Sequence, residues 1–499
     1  MAAQPPGWLP ARFPSQVTDG VSIPAWLLVA IAALAVWALY EHVLMPALRF
    51  LVTHPANRVI DELGERLRIG IRPFQRTKRQ ALIHRLLTDP RVQVAAENFA
   101  KQNRVSVPAA LRVVERYARE IVPAFNAYLY FRIGYLIGRW IARSLYRVRL
   151  GYLDSGGIAG IEPDATVVFV MNHRSNMDYI LAAYLAADQA ALSYAVGEWA
   201  RIWPLSALVR AMGAYFVRRD SKDELYRRVL ERYIAMATEA GVPQAVFPEG
   251  GLTRDGRMRE PRLGVIDYMM RGFRLDGEHD LVFVPLGINY DRVLEDRSLL
   301  RALDPNVPRV GRARVLWNTL VFAAHNLRLM LKSGWHRFGY ACVNFGSPIS
   351  MRTYCRERGV DFQKLSGEAR RRETAALGAH LMEAVGRVVP VVPVPLMATV
   401  FVRNPERRLS ALELKAEVGR LLEGLERAGA RVYVPRRDLD YALDVGLRML
   451  LMRHLVDESE GLYLARENEL PLLRYYANSI AHLLAQSSIL KPLSKGGEP

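Results

Sequence analysis

The feature that most constrains this chain is a change of texture after Gly151. From there short β-rich apolar runs (Ala165 to Met171, Ala191 to Val196, Ala214 to Val217, Gln244 to Phe247, Leu281 to Ile288 and Tyr340 to Phe345) alternate with helical stretches. That alternation is the signature of an α/β domain, a central β-sheet flanked by helices, expected here over residues 151–350. One helix start is legible in detail: Ser221-Lys222-Asp223-Glu224 has capping-box spacing, and Gly241 ends the periodic stretch that follows. Anions are favoured at such an N-terminus, although Asp220 and Asp223 partly oppose this.

The flanking regions read differently. Residues 41–150 are helical in pattern and rich in arginine, with 20 Lys and Arg against 8 Asp and Glu, so that they carry 12 of the net +18. Residues 351–499 read as mainly helical, with a break at Val388 to Pro395 and a disordered tail from Ser494. With 51% hydrophobic and 9% aromatic residues the chain can bury a large core, which excludes wholesale disorder. Two cysteines, Cys342 and Cys355, exclude a disulfide framework and any thiolate metal cluster. Near the start, Ile23 to Tyr40 runs 18 residues without a charge, about the minimum for a membrane-crossing helix. It is read as a transmembrane anchor over 22–40 after an N-terminal segment 1–21, the alternative being a buried core helix. Arginines and Lys78 crowd its downstream flank, which predicts a membrane-bound protein with a single N-terminal span and the catalytic domain on the cytoplasmic face.

The basic excess beside that run implies membrane lipids as a partner. Ala127 to Tyr146 interleaves aromatics with Arg132, Arg139 and Arg143, and reads as a helix lying on a lipid interface or as an ordinary amphipathic helix. A second basic apolar segment, Arg309 to Arg337, admits the same two readings. Nucleic acid is not expected, because no zinc-finger or RRM signature is found.

Four motifs carry the chemistry. The first is Asn172 to Tyr179, directly after an apolar run. On one continuous helix His173 and Asp178 would sit about 140° apart. A strand-to-helix turn instead lets the carboxylate bond one imidazole nitrogen and leave the other as a base. No protein nucleophile accompanies the pair, so a substrate hydroxyl would have to serve. The second, Gly213 to Arg219, ends in paired arginines that can grip a phosphate, although taken alone such a pair is more often a solvated basic turn. The third, Phe247 to Arg257, is a glycine-rich turn with a carboxylate and arginines. The fourth, Val282 to Tyr290, contains Pro285, which disfavours a regular central strand.

Taken in order, His173 to Asp178, Gly213 to Arg219, Phe247 to Gly256 and Val284 to Tyr290 resemble the four successive blocks of the glycerolipid acyltransferases, with the best fit to the glycerol-3-phosphate acyltransferase family. The resemblance implies transfer of a fatty acyl group from acyl-CoA or acyl carrier protein to the 1-hydroxyl of glycerol 3-phosphate, giving lysophosphatidic acid. It implies His173 as general base and Asp178 as the residue that orients it. Arg174, Arg218, Arg219, Glu249, Gly250, Gly251 and Arg254 become the substrate-binding set. No metal and no cofactor beyond the acyl thioester is implied. The third block departs from the family's Glu-Gly-Gly-Arg-Ser-Arg: Leu252 and Thr253 stand at the Arg and Ser places while Arg254 remains, so a phosphate contact is lost or supplied by Arg257 or Arg259. Dihydroxyacetone phosphate and lysophosphatidic acid are the alternative acceptors, and a non-catalytic basic membrane scaffold is the reading from another class.

Overall fold

The computed structural model describes residues 72–186, 191–197, 205–218, 221–303 and 338–486, with scattered positions between 31 and 46. The chain separates into two units, 1–54 and 55–499, and the sheet and the site belong to the second. In that unit a short helical turn, Pro73–Arg76, precedes three longer helices, α1 (Arg79–Thr88), α2 (Pro90–Asn103) and α3 (Val107–Ile121). In α3 the buried residues Ala110, Val114, Tyr117, Ala118 and Ile121 recur at helical spacing and form one apolar face. After α4 (Tyr135–Leu145) the elements run β1 (Arg147–Leu153), β2 (Thr166–Met171), α5 (Met177–Ala186), β3 (Ser193–Val196), α6 (Leu205–Ala211), β4 (Tyr215–Phe216), α7 (Glu224–Glu239) and β5 (Gln244–Val246). There follow α8 (Leu263–Arg271), β6 (Leu281–Tyr290), α9 (Asp296–Arg301), β7 (Tyr340–Phe345), β8 (Ile349–Ser350), α10 (Met351–Arg358) and α11 (Gly367–Val388).

The strands form an eight-stranded sheet in the order β1-β7-β6-β2-β5-β3-β4, with β8 on β6. Pairing is parallel through β6, β2, β5, β3 and β4, and antiparallel where β6 meets β7 and β8. Helices cover both faces, and β2 shows how. Val167, Phe169 and Met171 belong to one core cluster while Val168 and Val170 belong to the other, as the two-residue period of a strand requires. The helical layer α1 to α3 packs on α7, and α11 runs against β6 and α8.

Pro285 sits inside β6 after all, paired to Val170. On its other edge β6 pairs with β8 as far as Phe283 and with β7 only from Leu286, so the missing N–H falls where the partner changes. The Pro285 carbonyl still accepts from Gly346 N at 2.8 Å.

The C-terminal region carries α12 (Pro393–Arg403), β9 (Leu409–Ser410), α13 (Ala411–Arg427), α14 (Leu439–Met452), β10 (Val456–Ser459), β11 (Leu462–Ala465) and α15 (Leu470–Asn478). Every residue of α12 from Pro393 to Phe401 is buried, and the helix packs against α14 and α15.

Several expectations are corrected. Among the described residues no helix is long and apolar enough to cross a membrane. The transmembrane anchor at 22–40, and with it the membrane-bound location with a single N-terminal span and a cytoplasmic-face catalytic domain, is therefore not supported. Most of Ile23 to Tyr40 lies outside the described residues. Eighteen apolar residues are the lower bound for a span. Where the run ends, Tyr40–Leu44 winds as a π-helical turn carrying Glu41 and His42. Strand β1 begins inside the stretch read as helical, and within the mainly helical C-terminal region β10, β11 and β9 make a small antiparallel sheet. Those strands are two to four residues long, too short to show a period, and β10 and β11 join across Glu460-Gly461, both at positive φ. The cap of α7 is Asp223, whose side chain accepts from Tyr226 N, where Ser221 was expected. The segment 309–337 and the tail from Ser494 lie outside the described residues.

Candidate active site

The site lies at the carboxyl ends of β2 and β5, adjacent parallel strands, where the chain must turn away from the sheet and leaves a crevice. After Met171 the chain makes the turn Asn172 to Asn176 and enters α5. The turn is held from within: Asn172 bonds both N–H and C=O of Ile288, Asp178 N donates to Ser175 O, and Ser175 Oγ accepts from Met177 N. This brings His173 and Asp178 together, with Nδ1 of the ring 2.9 Å from Oδ2 of the carboxylate.

Asp178 is wholly buried and surrounded by donors. Oδ2 also accepts from Arg174 N at 2.7 Å and Ser175 N at 3.0 Å, and Oδ1 accepts from the Tyr290 hydroxyl at 2.5 Å. Burial and the neighbouring carboxylate hold the Tyr290 phenol well above its ordinary value, so it remains a donor. Facing an acceptor, Nδ1 of His173 carries the proton, and the lone pair is left on Nε2. The ring is only 1% exposed, stacks on Phe247 at 4.1 Å and meets Tyr179 edge-on. Nε2 has no hydrogen-bond partner among the described residues, and His173 lines a cavity of about 250 Å³.

The rest of that cavity has two characters. Val196, Val217, Leu230, Val246, Val265 and Ile266 give it apolar walls, while Arg218, Arg227 and Arg262 bring three guanidiniums. No carboxylate lines it among the described residues. Arg218 is committed in part: Nε and Nη2 bond Glu120 at 2.9 and 2.6 Å, and the guanidinium stacks over Tyr117 and Tyr226. A larger groove of about 1000 Å³, between α2 and the starts of α7 and α11, holds no residue of the four motifs.

Of the residues singled out in the sequence, His173, Arg218 and Gly250 meet at this cavity, with Asp178 directly behind the ring. The other described candidates for catalysis and substrate binding do not line it. Glu249 is 2% exposed and turns inward, Oε1 accepting from His173 N at 2.9 Å and Oε2 from Arg259 N at 3.1 Å. Burial pushes its carboxyl up to about 7 against the pull of those two donors. Arg174 is buried and donates to Gly256 O, Gly251 is buried in the turn, and Arg254 is exposed and reaches Ala302 O. Arg219 lies outside the described residues. Arg257 and Arg259, weighed as substitutes for a lost phosphate contact, do not line the cavity either.

Two cavity arginines were missed. Arg262 immediately precedes α8, follows Pro261, and packs over Gly250, where a Cβ would come 2.4 Å from its Cδ; Gly250 itself has φ +69°. A proline and an arginine at the head of an apolar helical stretch were the available signal. Arg227 lies in the first turn of α7, beside Arg228, and nothing in the sequence distinguishes the two. Glu295 was also missed: it accepts from Ser175 Oγ, Asn176 N and Asn176 Nδ2, bracing the histidine turn, and burial raises its carboxyl.

Comparison with known proteins adds an independent line. Residues 155–289 match the family model described as Acyltransferase, and residues 326–493 match Glycerol-3-phosphate acyltransferase C-terminal region. The chain is 28% identical over 432 residues to a glycerol-3-phosphate acyltransferase of Pseudomonas fluorescens, covering 83% of this chain and 49% of the relative. It is 27% identical over 447 residues to that of Pseudomonas aeruginosa, covering 87% and 52%. The chain thus spans about half the length of these curated relatives. Among solved structures, the 1-acyl-sn-glycerophosphate (LPA) acyltransferase of Thermotoga maritima aligns with 51% of this chain and 77% of its own at 16% identity and a TM-score of 0.28, too distant to support an argument. Two family models thus match in sequence along one chain, and relatives of one name, glycerol-3-phosphate acyltransferases, align over most of it.

Proposed function

We propose that this protein transfers a fatty acyl group from a thioester, acyl-CoA or acyl carrier protein, to the 1-hydroxyl of glycerol 3-phosphate, as in phospholipid biosynthesis. The observation that carries this reading is the composition of the cavity: an imidazole nitrogen with an uncommitted lone pair, three guanidiniums, apolar walls and, among the described residues, no carboxylate. A dianionic acceptor is drawn to the guanidiniums, and the apolar side suits the acyl chain. Nε2 of His173 takes the proton of the acceptor hydroxyl as its oxygen bonds the thioester carbonyl carbon. Collapse of the tetrahedral adduct breaks the C–S bond, and the imidazolium returns the proton to the departing thiolate. Asp178 keeps Nδ1 as the donor and favours the imidazolium, while Tyr290 holds the carboxylate in place. No acyl-enzyme forms, and no protein nucleophile is needed.

Lipid headgroups are a further proposed partner, supported by the face of α4. Leu136 and Trp140 are 60% and 57% exposed, and Arg132, Arg139 and Arg143 share the exposed side. Sedimentation with anionic vesicles should weaken when the three arginines become glutamates.

The deciding experiment supplies the purified chain with labelled acyl-CoA or acyl carrier protein and each candidate acceptor. Lysophosphatidic acid should form from glycerol 3-phosphate and should vanish in His173→Ala. Product from lysophosphatidic acid or dihydroxyacetone phosphate alone would overturn the acceptor.

A further inference from the structure

Helix α15 belongs to none of the four motifs and does not line the cavity, yet its residues reach both turns that build the site. Arg174, the neighbour of His173, is 3% exposed. Its Nη1 donates to Gly256 O at 3.0 Å, while Nε and Nη2 have no hydrogen-bond partner among the described residues. A buried cation so poorly bonded is costly unless something else meets it. What meets it is the ring of Tyr475, whose centroid lies 5.3 Å from the guanidinium carbon. The Tyr475 hydroxyl also lacks a partner, so the contact is made by the ring.

The same helix holds the second turn. Gly256 has φ +86° and approaches so closely that a Cβ would stand 1.9 Å from Tyr475 O. Asn478 Nδ2 donates to Asp255 O at 2.9 Å, and Thr253 N, in that turn, donates to His173 O at 3.0 Å. On the opposite flank, the Tyr476 hydroxyl donates to Asp296 Oδ2 at 2.5 Å and accepts from Arg453 Nη1 and Val293 N. This fixes the segment in which Glu295 grips Ser175 and Asn176.

We propose that α15 is a positioning element of the active site: consecutive tyrosines, Tyr475 through the Arg174 cation and Tyr476 through Asp296, hold the His173 to Asp178 turn so that Nε2 faces the cavity. Small displacements of a catalytic base lower turnover strongly without weakening ground-state binding. The proposal rests on the acyl-transfer reading only for its kinetic readout.

The test pairs Tyr475→Phe, which keeps the ring, with Tyr475→Leu, which removes it. The phenylalanine variant should stay within twofold of the parent, and the leucine variant should lose about tenfold or more in kcat with KM for glycerol 3-phosphate unchanged. Leucine at parental kcat per folded molecule, or phenylalanine as impaired as leucine, would overturn it. If the leucine variant does not fold, Asn478→Ala takes its place, with a severalfold loss of kcat at unchanged KM expected and parental kcat counting against the proposal. Should the parent transfer nothing to glycerol 3-phosphate, the functional reading falls by itself. The inference is then decided by the NMR chemical shifts of the His173 imidazole at fixed pH, which should change in the leucine or alanine variant and not in the phenylalanine one; identical shifts would refute it.

Discussion

Two turns leave neighbouring parallel strands side by side, and they differ in what their polar groups face. After β2, the turn from Asn172 to Asp178 directs its hydrogen bonds inward except for one ring nitrogen, Nε2 of His173, which is left toward the cavity. After β5, the turn from Phe247 to Arg257 also carries polar residues, yet Glu249 bonds the backbone of His173 and Arg259, Thr253 Oγ1 donates to Arg257 O, and Arg254 reaches outward to Ala302 O. On the proposed reading the first turn carries the chemistry and the second chiefly holds the first. Proximity to a reaction centre therefore does not assign a chemical role; the direction of the uncommitted atom does.

The largest effect expected from this contrast is at His173. His173→Ala should lower kcat by about 10²–10⁴-fold with little change in the unfolding midpoint, checked by steady-state kinetics beside calorimetry. Glu249→Ala should do the reverse. It strands two buried N–H donors at about 1–3 kcal/mol each, so the thermal midpoint should fall markedly, with a loss of kcat per folded molecule far smaller than at His173. A variant that kept full stability yet lost binding of the acceptor would break the contrast.

A pH series sharpens it. Folding raises the Glu249 carboxyl from 4.5 to about 7, so between those values the folded chain binds more protons than the unfolded one. The stability that comes from the neutral acid is complete below the lower value and is lost as pH rises through about 7. Glu249→Gln should flatten that decline, visible as a smaller fall in melting temperature between pH 5 and pH 8. Asp291, buried and also raised to about 7, sets a decline of the same sign that the substitution leaves in place.

Smaller effects come from the supporting groups. Tyr290→Phe removes one donor from the Asp178 carboxylate and should lower kcat about tenfold at unchanged KM, from a charged hydrogen bond worth roughly 1.5–3 kcal/mol. Arg262→Ala should raise KM for glycerol 3-phosphate about tenfold with less effect on kcat, whereas Arg254→Ala should change either constant less than twofold. Equal losses at the two arginines would contradict the cavity assignment.

How far the sequence led can be read from these same residues. The histidine and aspartate were legible because a strand-to-helix turn is one of few local geometries that lets residues five apart meet, and an apolar run before a capped helix announces it. Pro285 was misread because a proline's cost depends on what lies beside the strand, and here the partner changes at that residue. The anchor at 22–40 is not supported, because hydropathy reports composition alone and no helix among the described residues is long and apolar enough to cross a membrane. Arg227 and Arg262 were missed because a basic residue on a helix looks alike whether it faces solvent or a cavity.

By itself, the amino-acid order determined the α/β alternation, the pairing of His173 with Asp178 and the family whose blocks the motifs resemble, since each depends on residues close in the chain or on short patterns. Only the tertiary structure decided which of many arginines face the imidazole, that Glu249 turns inward, and that Tyr475 meets Arg174. Those contacts join segments far apart in sequence, and side-chain direction at a junction of three elements is set by packing among them, which no local pattern encodes.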